Sequence, residues 1–162
     1  MPLLKLTSAI FLIGCIGLSR YLPFLDSGMY NFTPLLATAV LLPSITTNKG
    51  WLIAPTLIYF VTGIFMPDWT LQSALMPMLI ISLSPYVAKL FGNAFSGGLA
   101  SWLLWHITVN FGLMYPPFSA EALAFDLRLL GSTMLYIALY TAVQQGSQKI
   151  QEIKHKFIRT PE

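Results

Sequence analysis

The chain has 162 residues, of which 56% are hydrophobic and 9% are charged, and its formal net charge is +3. This length suits one domain, and a soluble fold of that size has too little interior for so much apolar surface. The single cysteine excludes an intrachain disulfide, and the small positive charge does not indicate nucleic-acid binding. Recurrent apolar runs predict an all-α, polytopic membrane protein with about six transmembrane helices.

Prolines delimit the first two predicted helices. The first runs from about residue 3 to residue 18 or 22, because Pro23 stops it. Thr33 is typical of an N-cap, and Pro34 suits a first helical position, where its missing N–H costs no hydrogen bond. The second helix is therefore predicted to start there and to end near Ile45.

Three further helices are predicted over residues 51–66, 71–90 and 99–114. Residues 92–98, which are rich in glycine and polar side chains, are expected to form the turn before the fifth helix. The second and third helices are short for a full crossing, and we expect them to pack with little tilt or in a thinned bilayer.

The longest loop precedes the sixth helix. Ser119 can cap a helix there, and we expect residues 119–128 to lie at the outer interface before the helix descends to about Gln144. The last residues, 147–162, form a basic tail with isoleucines on one possible helical face. Two interpretations stay open for this tail: an amphipathic segment on the inner leaflet, or a plain solvated tail.

Charged side chains segregate between alternate gaps of the apolar runs. The positive-inside rule then places both termini in the cytoplasm and predicts a multi-pass protein of the plasma (inner) membrane. We divide the chain into a six-helix transmembrane domain, residues 1–146, and a cytoplasmic tail, residues 147–162. The inner group is Lys5, Lys49, Lys89, Lys149, Lys154, Lys156 and Arg159, and the outer group is Arg20 and Arg128 beside Asp26, Asp68, Glu121 and Asp126.

Polar residues near the outer ends of the helices form a candidate binding site. His106 and Asn110 are four residues apart and share a helix face, which Trp102 continues inward. Polar groups in a membrane are costly, so each requires a partner or a role. An outward cavity that takes an anionic or amide-bearing small molecule is predicted to be lined by Arg20, Asn31, His106, Asn110, Tyr115 and Arg128.

Each of these residues also has a purely structural interpretation. His106 or Asn110 can hydrogen-bond to a neighbouring helix. Arg20 can extend to lipid headgroups, and Arg128 can pair with Asp126 or Glu121. Both interpretations stay open at this point.

Signals for catalysis are absent from the sequence. The apolar spans 29–66 and 71–120 contain no Asp or Glu, so a proton relay or a carboxylate metal site lacks its usual groups. There is no nucleophile elbow and no phosphate-binding glycine loop. The small residues Gly97 and Ser101 indicate close helix packing rather than a catalytic loop. We therefore predict a non-enzyme without cofactor or metal.

Several short motifs occur in a characteristic order along the chain. They are Arg20-Tyr-Leu-Pro23, Asn31-Phe-Thr-Pro34 leading to Ala37, Thr108-Val-Asn-Phe-Gly112 followed by Tyr115-Pro116, and Leu130-Gly131 leading to Tyr136. This pattern resembles a group of small uncharacterised prokaryotic membrane proteins, which is itself similar to the substrate-binding S components of energy-coupling-factor (ECF) vitamin transporters.

The resemblance implies a six-helix S-component fold with an outward substrate cavity, in which Arg20, Asn31 and Asn110 occupy motif positions. It also implies a transmembrane coupling subunit with ATPases as partners, besides the lipid bilayer. The chain departs from the pattern at two positions where the group often has an Asp. The corresponding stretches here are Thr62-Gly63 and Ser132-Thr133.

Two classes of function follow. The first is a membrane-embedded binding subunit that takes up an unidentified small molecule from the outer side. The alternative is a non-catalytic accessory or structural subunit of a larger membrane complex. A membrane enzyme ranks third, because only His106 resembles a general base by residue type.

Overall fold

The computed structural model describes the backbone of residues 2–26, 29, 31–66, 69–109 and 119–158. The predicted all-α class is confirmed for these residues. A one-turn helix, Leu22–Leu25, follows the first long helix, and a 3-10 helix, Lys49–Ile53, precedes the third. The other six helices of the described residues are α1 (Pro2–Ser19), α2 (Leu35–Ile45), α3 (Ala54–Ile64), α4 (Leu71–Phe91), α5 (Ala94–Trp105) and α6 (Ala120–Ile158).

The entry into α2 differs from the prediction. The helix begins at Leu35 after Pro34, and Thr33 is not its N-cap. The hydroxyl of Thr33 is instead hydrogen-bonded to Ser19 Oγ at the end of α1, at 2.8 Å. A tertiary hydrogen bond has therefore replaced the local cap, while the predicted end at Ile45 is confirmed.

Helix α2 lies at the centre of the bundle. All of its residues from Leu35 to Leu42 are buried, and it packs against α1, α4, α5 and α6. Its mostly aliphatic side chains can face neighbours in every direction, which is the pattern of a helix that is apolar all round. Because α2 contacts these helices, it fixes where their polar residues stand.

The turn between α4 and α5 is shorter than predicted. Helix α4 ends at Phe91 and is capped by Gly92, whose φ of 73° is in the left-handed region that glycine tolerates. The Asn93 side chain accepts a hydrogen bond from Ser96 N at 2.8 Å. Helix α5 therefore begins at Ala94, and residues 96–98 are helical rather than part of the turn. Close packing is confirmed at Gly97, where a Cβ would lie 2.6 Å from Ala88 Cα.

The predicted interfacial segment, residues 119–128, forms the first turns of a longer helix rather than a separate segment. Ser119 caps the helix as expected, since its Oγ accepts from Ala122 N at 3.1 Å. From Ala120, however, α6 continues as one helix of 39 residues to Ile158, through Gly146 and into the predicted tail. Asp126 belongs to the packed face of this helix and is fully buried.

Among the described residues, two helices are long and apolar enough to cross a membrane. They are Leu71–Phe91 and the part of α6 from Ala120 to Ile153. Helices α2 and α3 have 11 residues each, which at 1.5 Å per residue is about half of the hydrocarbon thickness. The shortness expected for the second and third helices is confirmed.

Candidate functional site

Side chains from three distant parts of the sequence meet at the end of α1. Ser19 Oγ is 2.8 Å from Thr33 Oγ1, and Ser132 Oγ accepts from Thr33 N at 3.3 Å. Ser19, Thr33 and Ser132 are all buried. These bonds bring together the end of α1, the entry to α2 and the first third of α6. We call this region the polar end of the bundle.

A second group at the polar end joins α5 to α6. His106 Nδ1 contacts Oδ2 of Asp126 in an ion-pair geometry, and Trp102 Nε1 donates to the main-chain oxygen of Asp126 at 2.7 Å. The rings of Trp102 and His106 are stacked, with centroids 5.8 Å apart and planes 11° from parallel. The expectation that Trp102 and His106 share a face is therefore confirmed.

The backbone at His106 leaves the regular α-helical spacing. Residues 106–109 form a π-helical turn directly after α5. The predicted shared face of His106 and Asn110 assumed 3.6 residues per turn, and a π turn changes that register. Asn110 and Tyr115 lie outside the described residues, as does the predicted end of the fifth helix. Turns of this type occur frequently at functional sites.

Arg20 is turned into the bundle rather than extended away from it. Its guanidinium Cζ lies 4.6 Å from the centroid of the Tyr59 ring of α3. This is cation–π geometry, which is favourable where the cation is partly desolvated. The Arg20 Nε atom is buried without a hydrogen-bond partner among the described residues. Arg20 thus brings a positive charge and an unused donor to the polar end.

Asn31 and Arg128 occupy different positions at this end. Asn31 adopts a φ of 63°, a left-handed conformation that Asn tolerates better than most residues. Its main-chain oxygen is 3.5 Å from Ser132 Oγ. The guanidinium of Arg128 lies over the Phe125 ring of the same helix at 5.5 Å. Four of the predicted site residues therefore lie on described segments. Of these, Asn31, Arg20 and His106 contact other parts of the chain at the polar end.

Asp126 is the residue that the sequence prediction missed as a site residue. The sequence places it in the outer charged group, as a possible partner of Arg128, and not among the residues that line the cavity. The signal was present, because Ala122, Asp126, Leu129, Thr133 and Ile137 recur every three or four residues, and all are buried. This period places Asp126 on the face of α6 that packs against the bundle.

At the two stretches where the similar membrane proteins often have an Asp, the hydroxyl groups of this chain make hydrogen bonds within the bundle. Thr62 Oγ1 donates to Ile58 O at 2.6 Å, and Thr133 Oγ1 donates to Leu129 O at 2.6 Å. Ser132 bonds to the Thr33 main chain. Over the part of the chain that the structure describes, no group of three or more His, Cys, Asp or Glu side chains is placed to hold a metal ion.

Comparison of the chain with models of known protein families, with curated proteins and with solved structures gives no significant match. The class that the fold defines is an all-helical bundle with two helices of membrane-spanning length.

Proposed function

We propose that the protein is an integral membrane, substrate-binding subunit, similar to an S component, that takes up a small molecule at the polar end of its bundle. In this proposal the bundle crosses the plasma (inner) membrane several times with both termini in the cytoplasm. The polar end faces outward. Binding is passive, and ATP hydrolysis belongs to ATPases on a transmembrane coupling subunit.

The membrane location is supported by rows of exposed leucines. On α4, Leu71, Leu75, Leu79 and Leu83 recur every four residues and are 41–56% exposed. On α6, Leu123, Leu127, Leu135 and Leu139 are 46–53% exposed. Apolar surface of this extent is unfavourable in water but matches lipid tails. These two rows of exposed leucines are the observation that carries the proposal.

The ligand-binding part of the proposal rests on where the buried polar groups stand. Arg20 directly follows α1, His106 directly follows α5, and Asp126 lies on α6. The bonds among Ser19, Thr33 and Ser132 join α1 to α6, and the His106–Asp126 contact joins α5 to α6. Burying a charged group inside a membrane bundle has a large desolvation cost, so such a group ordinarily has a function. Arg20 with its unused Nε favours an anionic or amide-bearing ligand.

The test is a thermal-stability screen of the purified protein in detergent against water-soluble anionic and amide-bearing metabolites. A true ligand raises the melting temperature through its affinity for the folded state. We expect the increase to be lost in Arg20→Ala and in Asn110→Ala, while the exposed Lys89→Ala control keeps it. If both site variants respond to the ligand like the wild type, the assigned site is wrong.

The second candidate function is the accessory subunit of a larger membrane complex. The short helices α2 and α3 favour it, since neither has the length to cross a bilayer of ordinary thickness alone. Native mass spectrometry of gently solubilised membranes separates the two candidates. A stoichiometric complex with non-transport proteins and no bound small molecule would replace the first proposal with the second.

A further inference from the structure

The two ring nitrogens of His106 have different surroundings. Nδ1 contacts Asp126, whose side chain is fully buried, while the His106 side chain keeps 29% of its surface exposed. An ionised carboxylate only accepts hydrogen bonds, so the N–H of a neutral imidazole beside it must be on Nδ1. A neutral imidazole has one N–H, so Nε2 then carries a lone pair.

Trp102 restricts the movement of both partners. Its indole N–H is bonded to the main-chain oxygen of Asp126, and its ring lies parallel to the imidazole. The imidazole is thus held by Asp126 at Nδ1 and by Trp102 along its ring. A carboxylate that holds one nitrogen of a histidine orients the ring and makes the other nitrogen more basic.

We propose that Asp126 holds His106 in the Nδ1–H tautomer and that Nε2 is the proton acceptor of the polar end. The ligand class that fits is a weak acid, a molecule with an acidic O–H or N–H group. This inference rests on the proposed function for its ligand, but the state of the imidazole is a property of the free protein.

The proton transfer is reversible and balanced. The O–H or N–H bond of the ligand breaks, its electron pair stays on the ligand, and a new Nε2–H bond forms. The ligand becomes an anion, and the imidazolium that results faces the carboxylate of Asp126. Asp126 therefore acts as a positioning residue, because it acts through His106 rather than on the ligand.

The other ionisable groups at this end are compatible with an anion. Arg20 of α1 contacts Tyr59 of α3, and α6 carries Arg128 over Phe125. The acids Glu121 of α6 and Asp26 after α1 are both exposed. Two arginines thus stand at the end where the anion would form, whereas the carboxylate of Asp126 is engaged by His106.

The test is nitrogen-15 NMR of the full-length protein labelled at histidine, in detergent and without added ligand. The chain has only two histidines, His106 and His155, so His155 serves as an internal control. For the neutral imidazole of His106 we expect a protonated Nδ1 signal and a bare Nε2 signal. Protonated Nε2 with bare Nδ1 would overturn the proposal, because Asp126 would then have to be the proton donor.

Two variants sharpen the test. Asp126→Leu removes the acceptor, so we expect the preference for the Nδ1–H tautomer to be lost, with His155 unchanged. Asp126→Asn keeps a carbonyl acceptor without the charge, and it replaces Asp126→Leu in the NMR test if the leucine variant does not fold. In that variant we expect His106 to keep its tautomer, because the amide oxygen still accepts from Nδ1–H. An unchanged tautomer preference in Asp126→Leu contradicts the proposal.

The two proposals fail separately. The NMR experiment needs no ligand, so a wrong tautomer rejects the role of His106 and leaves the binding site open. A correct tautomer with no ligand in the stability screen rejects the proposed function and leaves the state of the pair established.

Discussion

Ser132 and Thr33 are 99 residues apart in sequence, yet the Ser132 hydroxyl accepts from Thr33 N at 3.3 Å and is 3.0 Å from Thr33 O. The Ser132 side chain of α6 is thus hydrogen-bonded to both the N–H and the C=O of Thr33, just before α2. Those groups have no helical partner of their own at this point. The contact fixes the position of α6 relative to α2 along the bundle axis, and it therefore also fixes the position of Asp126.

Ser132→Ala tests this contact. The substitution leaves buried main-chain groups of Thr33 without their side-chain partner, and we expect a loss of about 1–2 kcal/mol in the free energy of unfolding. Denaturant titration in a fixed detergent measures it. Ser147→Ala, further along α6, is the control and should cost nothing, since alanine is the better helix former. Equal stability of both variants would show that the contact carries no net energy.

Two glycines in long helices provide a matched pair for packing. A Cβ at Gly97 would lie 2.6 Å from Ala88 Cα, whereas a Cβ at Gly131 has nothing within 4 Å. We expect Gly97→Ala to destabilise the protein by about 1–3 kcal/mol, because main chain has to move. Gly131→Ala should instead add up to about 1 kcal/mol from helix propensity.

Thermal unfolding in one detergent measures both glycine variants. If Gly97→Ala is as stable as Gly131→Ala, α4 and α5 are further apart than described. The result bears on the site because the close contact of α4 and α5 sets the direction in which α5 reaches His106.

A double-mutant cycle measures the energy between His106 and Asp126. We expect His106→Leu and Asp126→Leu to destabilise the protein by less together than the sum of the single changes, with a coupling of about 1–3 kcal/mol. Either single change strands a polar partner inside an apolar bundle, and the double change removes both. The exposed pair Glu121→Leu and Lys89→Leu is the control and should be additive. A coupling near zero would mean that the two side chains do not act as a pair.

The sequence was sufficient for the order of the helices and for several of their ends. Pattern and turn chemistry correctly placed Ile45, the start of α4 after Thr70 and the cap at Ser119. These features are local, since apolar runs, prolines and capping side chains lie within one turn of the boundary that they set.

The errors arose where a distant residue supplies the partner. Thr33 has the chemistry of an N-cap, but Ser19 and Ser132 use it in tertiary bonds. Asp126 lies beside Arg128 and after a polar cap, so it resembles an interfacial acid. In the structure it is buried and contacts His106 and Trp102. The π turn at 106–109 has no local sequence signature that we can identify.

Labelling of single cysteines in intact cells tests the orientation of the bundle, on which the proposed uptake from the outer side depends. In a Cys15→Ser background, Met29→Cys lies in the loop at the polar end, and Gln148→Cys lies beyond the leucine rows on α6. Both native side chains are exposed. We expect a membrane-impermeant maleimide to label position 29 in intact cells and position 148 only after permeabilisation. Labelling of position 148 from outside, with position 29 protected, would contradict an outward-facing site.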